Sequence, residues 1–267
     1  MKRMPAVAGQ FYPGTQRSLH AQMEAFINRD ADREKVIGVM SPHAGYMYSG
    51  GVAGALFSTI IIPPVVIILG PNHRGAGSEF AIMTEGSWIS PLGETAIDEA
   101  LGKRLLEHSN LLEEDVEAHV HEHSLEVQLP FLQYMRPDVR IVPICIGGHN
   151  QTQFIELGEE IAACTKEMVA DILIVASSDM SHYEPHETAK RKDSLAIDAI
   201  LELDEKKMLS RLVEHSISMC GYGPTASMIT AAKKLGAKKA ELVRYQTSGD
   251  TSGDYSQVVG YAGIIVY

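Results

Sequence analysis

Val65-Val-Ile-Ile-Leu-Gly-Pro-Asn-His73 is the stretch on which the fold turns. Its apolar run Val65–Leu69 opens after Pro63-Pro64 and closes at Gly70-Pro71, too short for a helix. It lacks the polar alternation of a strand with one wet face, so it reads as a strand buried on both sides in a parallel or mixed sheet. Three more runs read the same way: Val36–Met40, Arg140–Ile146 and Ile172–Ala176. Helical patterns cover Leu19–Asn28, Val52–Ile60, Thr95–His108, Ser124–Met135 and Gln153–Val169, then Glu187–Leu203, Glu205–His215 and Thr225–Leu235. Two further strands, Ala240–Tyr245 and Val258–Val266, flank the Gly/Ser/Asp-rich loop Thr247–Gly253. That loop is read as a mobile flap or, more simply, as a hairpin connection. No linker, repeat or composition shift divides the chain. The expected architecture is one α/β domain over residues 1–267, a sandwich with a central mixed, largely parallel sheet flanked by helices.

The composition narrows the function. A 267-residue chain with 45% hydrophobic residues has ample material for a large core, and 21% charged residues gives no sign of disorder. A net charge of −11 repels phosphates, which argues against nucleic acid and anionic membranes as partners. Cys145, Cys164 and Cys220 form no CxxC pair and suit a reducing compartment. No apolar segment follows the two basic residues of the N-terminus, and the run Ile60–Leu69 is interrupted by Pro63 and Pro64 and too short to span a bilayer. A cytoplasmic protein is expected.

The chemistry sits just past the strands. Ser-Pro-His-Ala-Gly-Tyr follows Met40 and brings His43; Gly-Pro-Asn-His-Arg-Gly follows Leu69 and brings His73. Ser-Ser-Asp-Met-Ser-His-Tyr follows Ala176 and brings Asp179 and His182. In an open α/β sheet, ligands bind in the crevice beyond the carboxyl ends of the strands, so the three clusters are expected to converge. Imidazoles from separate strand ends suit Zn, Fe, Cu or Ni and leave coordination positions open. Pro42 and Pro71 stiffen the loops before the histidines. Cys220 lies in Met-Cys-Gly-Tyr-Gly-Pro-Thr ahead of a helix, where it is read as a buried structural residue or as a soft metal ligand. Ala-His-Val-His-Glu-His-Ser-Leu-Glu puts His119, His121 and His123 on alternate positions, one face if extended. The helix start at Ser124 favours a different reading: His123 and Glu126 near the pocket, the other two at the surface or in packing.

These motifs together resemble the Memo family. The resemblance is carried by Val-Ala-Gly-Gln-Phe-Tyr-Pro at 7–13, Pro-His-Ala-Gly-Tyr at 42–46 and Leu-Gly-Pro-Asn-His at 69–73. His-Ser-Leu-Glu-Val-Gln-Leu-Pro-Phe at 123–131, Ser-Ser-Asp-Met-Ser-His at 177–182 and Cys-Gly-Tyr-Gly-Pro at 220–224 continue it in order. The resemblance implies a fold similar to class III extradiol dioxygenases, which use non-haem Fe(II). It places His43, His73 and Cys220 at metal-ligand positions, with Asp179 and His182 as the catalytic pair. From the residues themselves, His123, Glu126 and Tyr46 are expected to line the pocket. The resemblance implies Fe(II) or Cu, with Zn as a further candidate, and no organic cofactor. Its implied partners are a small-molecule or peptide ligand and, from some prokaryotic members, a radical-SAM protein. A dioxygenase iron is completed by a carboxylate, whereas the matching position here is Cys220, so ring cleavage of a catechol does not carry over.

Three functions compete. One is a metal-dependent redox enzyme with His182, oriented by Asp179, moving protons. The second is a binding module for a peptide or small anion on an enzyme-like scaffold. The third is a hydrolase using Zn-bound water. Trp88 is read as core or rim packing before a binding platform, and Tyr12, Tyr46 and Arg74 as candidates for the cleft, Arg74 as a clamp for a substrate carboxylate.

Overall fold

The computed structural model describes residues 1–168 and 172–267. Four mutually parallel strands form its centre: β1 (Gly38–Ser41), β2 (Val65–Pro71), β3 (Arg140–Ile146) and β4 (Ile172–Ser177). They lie in the order β1-β4-β2-β3, so the three strands that carry the motif loops are neighbours. Antiparallel additions make the sheet mixed: Val258–Val266 pairs with β1 and Phe80–Ile82 with β3. Ala240–Thr247 pairs antiparallel with Val258–Val266, and residues 248–257 join the two strands through a helical turn at Gly249–Ser252.

Alternation along β2 explains its uniformly apolar sequence. Ile67 and Leu69 face one layer, packed with the helices Gln151–Thr165, His186–Leu201 and Tyr222–Lys234. Val66 and Ile68 face the other, with Gln16–Phe26 and Tyr46–Ser58. Both faces are dry, so both alternating sets must be apolar. Each fully buried Val, Leu or Ile contributes about 1.5–3 kcal/mol of transfer free energy before entropy is counted. Trp88 is fully buried in this second layer, under the Arg3 guanidinium at 4.5 Å, which makes it a packing residue.

Several helices depart from their expected bounds. The helix expected from Thr95 begins at Glu99, because Asp98 caps it by accepting from the Leu101 amide at 2.9 Å and Gly93–Ala96 pairs as a strand with Ser87–Ser90. The expected Ser124–Met135 helix is a 3₁₀ turn, Glu126–Gln128, followed by Leu129–Met135, with Pro130 in the first turn that tolerates it. The helix expected at Val52–Ile60 begins at Tyr46, with Gly54 facing Phe26 so closely that a Cβ there would lie 2.5 Å from the Phe26 carbonyl oxygen. Val169, the last residue of the expected helix Gln153–Val169, lies outside the described residues; its start is at Gln151. Among the described residues, no helix is long and apolar enough to cross a membrane.

Candidate metal centre

The loops after β1, β4 and β2 do converge. His43, His73 and His123 each offer one ligand atom, and these atoms lie within 4.8 Å of one another. The rings of His73 and His123 stack at 4.7 Å, and His43 meets both edge-on at 5.1 and 5.5 Å. Phe11 packs against the His123 ring at 4.8 Å.

The hydrogen bonds behind the rings fix their tautomers. Ser177, the last residue of β4, donates its hydroxyl proton to the Ser124 carbonyl at 2.6 Å and accepts from the Gln128 amide at 2.8 Å. Its remaining lone pair faces His43 Nδ1 at 2.9 Å, so that nitrogen must carry the proton and Nε2 is left bare. Glu122 does the same for His73: its carboxylate accepts from Nδ1 at 2.9 Å and from the His73 backbone amide at 2.6 Å. It also accepts from the amides of His123 and Ser124 at 2.9 and 2.8 Å. A carboxylate behind a ligating imidazole orients the ring and raises its basicity.

The titration of these groups follows from their surroundings. Burial holds His43 well below the usual imidazole range, helped by the neighbouring His73 and His123. Burial likewise takes His123 down to about 4, against the opposing pull of Glu122. Both rings are therefore neutral at pH 7, the form that binds metals. Burial would raise the Glu122 carboxyl, but the donors from His73 outweigh it and hold the group at about 2. Asp179 goes the other way: burial dominates the amide hydrogen bond from His43 at 2.8 Å and raises it to about 6.

Cys220 Sγ lies 3.2 Å from His43 Nε2, and burial, then Asp179, push its thiol up, so the sulfur carries its proton in the absence of a cation. Its neighbour Gly221 is pressed onto the end of β4, where a Cβ would stand 2.2 Å from the Ser177 carbonyl oxygen. The set that comes together thus differs from the expected one in one member. His123 joins His43 and His73 while Cys220 stands beside His43. His182 is oriented by Ser218, whose carbonyl faces its Nδ1 at 2.9 Å, and not by Asp179, which is engaged by the His43 amide.

The remaining expected residues lie behind the site. Glu126 pairs with Arg3, both fully buried, and accepts from the Ala6 amide at 2.8 Å, the Val7 amide at 3.1 Å and the Tyr12 hydroxyl at 2.5 Å. It clamps the N-terminal segment. The Tyr46 hydroxyl donates to the Val127 carbonyl at 2.6 Å, and its ring packs with Tyr12 and Phe131. His119 is buried at 6.0 Å from the Trp88 ring; His121 and Arg74 border a separate surface cavity with Ala118. Glu122, Ser177 and Gln128 carry no local mark of these roles, although Glu122 stands between His121 and His123 in the quoted motif.

Known proteins resemble this chain over nearly its whole length. The family model described as Memo-like protein matches residues 3–265. A MEMO1 family protein of Methanopyrus kandleri is 43% identical, with 99% of each chain covered. One from Methanococcoides burtonii is 45% identical, again over 99% of each chain. A solved structure of an uncharacterized protein from Escherichia coli K12 is similar in fold, with a TM-score of 0.56 over 86% of this chain and 100% of that one, at 16% identity.

Proposed function

Because this chain belongs to the Memo family, we propose a function from its pocket: His43, His73 and His123 hold one iron or copper ion, and the protein is a metal-dependent oxidoreductase. The observation that carries the reading is the pair of locked tautomers, since Ser177 and Glu122 each take an Nδ1 proton and free the opposite nitrogen. Two ligand rings prepared in this way are a feature of metal sites, and a packing cluster has no need of them. The donor set fits the group: neutral imidazoles suit iron and copper, and the adjacent thiol favours a soft ion over Mg or Ca. Both oxygens of Glu122 are taken by the His73, His123 and Ser124 donors, and Asp179 Oδ1 accepts the His43 amide.

A bound iron or copper ion would supply electron exchange at its open coordination positions. The chain's own groups do the rest. Glu122 and Ser177 hold the rings still. Phe11 shields His123 from water. His182 presents Nε2, its other nitrogen being turned to the Ser218 carbonyl, and accepts or returns a proton there. Catechol ring cleavage is not part of the proposal.

Metal analysis of untagged protein, purified without oxygen, tests the reading against a His43→Ala/His73→Ala variant. About one equivalent of iron or copper in the wild type, lost in the variant, is expected. No metal in either after reconstitution would move the assignment to a binding module.

A further inference from the structure

The chamber beside the histidine cluster is small. It has a volume of about 110 Å3 and is bordered by His73, Cys220, His149 and Tyr222. At ~30 Å3 per liquid water, it admits a group of roughly three or four heavy atoms, well under the 300–1,000 Å3 of ordinary ligand pockets. Next to it runs a groove of about 430 Å3 whose apolar wall is Leu209, Leu212, Val213, Ile217 and Met219.

The two spaces are tied together by residues on the page. His149 and Tyr222 border both, joined by a hydrogen bond of 2.9 Å between His149 Nδ1 and the Tyr222 hydroxyl. Ser218 borders the groove, and its carbonyl is the group that orients His182. Met219 precedes Cys220 directly. The groove floor is buried, yet Val213 on its rim is 71% exposed. The helix Glu205–Glu214 buries Met208, Leu209 and Leu212 in the core, and Val213 lies outside that buried face.

We propose that the groove is the tail subsite of the same centre: the substrate carries a compact polar head, sized for the chamber, on a medium-length apolar chain that passes the His149–Tyr222 pair and lies against Leu212 and Val213. This rests on reading the histidine cluster as the reacting centre, but its test does not need the metal. Metal-free protein is titrated with butanol, hexanol and octanol, and the methyl signals of Leu209, Leu212, Val213 and Ile217 are followed by NMR with the ring signals of His149 and His73. The methyl and ring signals are expected to move together. Affinity should rise roughly fourfold for each methylene buried, the ratio that corresponds to ~0.8 kcal/mol per CH2. Val213→Glu, at an exposed position that leaves the core intact, should weaken hexanol about tenfold by setting a charge in the apolar wall, with metal content unchanged. Binding that is absent or independent of chain length, groove shifts with His73 silent, or a Val213→Glu variant that binds like wild type would overturn the proposal. Each of these leaves the metal analysis standing, and loss of the metal reading leaves the alkanol result standing.

Discussion

Glu122→Gln is the substitution that most directly probes how the site is held. The Glu122 carboxylate is fully buried and accepts four hydrogen bonds: from the amide and Nδ1 of His73 and from the amides of His123 and Ser124. A glutamine can keep the three that meet Oε1, but its NH2 replaces Oε2 and turns a donor toward the His73 amide. One charge-assisted hydrogen bond is lost and two donors face each other, at a cost of roughly 3 kcal/mol. Linkage gives a similar figure. The carboxyl sits at about 2 in the folded chain against an ordinary 4.5, a difference that corresponds to roughly 3 kcal/mol. Because the folded value is the lower one, this stabilisation is present in full above pH ~4.5 and is lost as pH falls toward 2. In urea, with a slope of about 3 kcal/mol per molar for a chain of this size, the midpoint at pH 7 should drop by about 1 M. The gap between wild type and variant should then close as pH falls through that window. Metal affinity, read by competition with a chelator, should weaken 10–100-fold. A variant within about 1 kcal/mol of wild type at pH 7, or two acid-unfolding curves that stay parallel, would refute the idea that Glu122 carries its charge against His73.

Ser177→Ala removes the acceptor that fixes the His43 tautomer and should weaken metal binding about 10-fold or more, seen as faster loss of the ion to a chelator. Asp179→Asn should stabilise the metal-free protein at pH 8. The folded carboxyl is raised to about 6 from 3.8, so stability falls as pH rises across that interval, by up to ~3 kcal/mol. Denaturant unfolding at pH 5 and 8 should show the variant nearly flat where the wild type declines. Arg3→Ala leaves the Glu126 carboxylate buried without its ion-pair partner and should cost about 3–5 kcal/mol, measured by urea unfolding.

The four central strands were legible because burial on both faces forces a nearly unbroken apolar run. Their loops were legible for a related reason: the carboxyl end of a parallel strand is where polar residues gather, so His43, His73, Asp179 and His182 stood out by position. What spacing does not encode is side-chain direction. Cys220 and His123 both reach the pocket, but which joins the histidine set depends on how the Glu117–Val120 turn delivers His123 over Glu122. Glu122 contacts His73 across 49 positions of sequence and Ser218 contacts His182 across 36, and nothing local marks either pair. Glu126 misled for a similar reason. A carboxylate two residues from Ser124 fits a pocket wall, but Arg3 and Tyr12, more than a hundred positions earlier, take both its oxygens.

Two buried carboxylates with opposite titration explain why this pocket suits a cation. Both are desolvated, which by itself raises a carboxyl. Glu122 has four donors around it and stays ionised down to about 2; the donors that oppose burial at Asp179 are too few, and it rises to about 6. The site therefore holds one fixed negative charge behind His73 and a second, more easily neutralised one beside His43 and Cys220. A cation entering the histidine set would favour the ionised form of Asp179 and the thiolate of Cys220 by the same Coulomb interaction. The cost of burying an ionised Asp179 would thus be offset by the cation, and the stability lost at neutral pH would become part of the binding free energy.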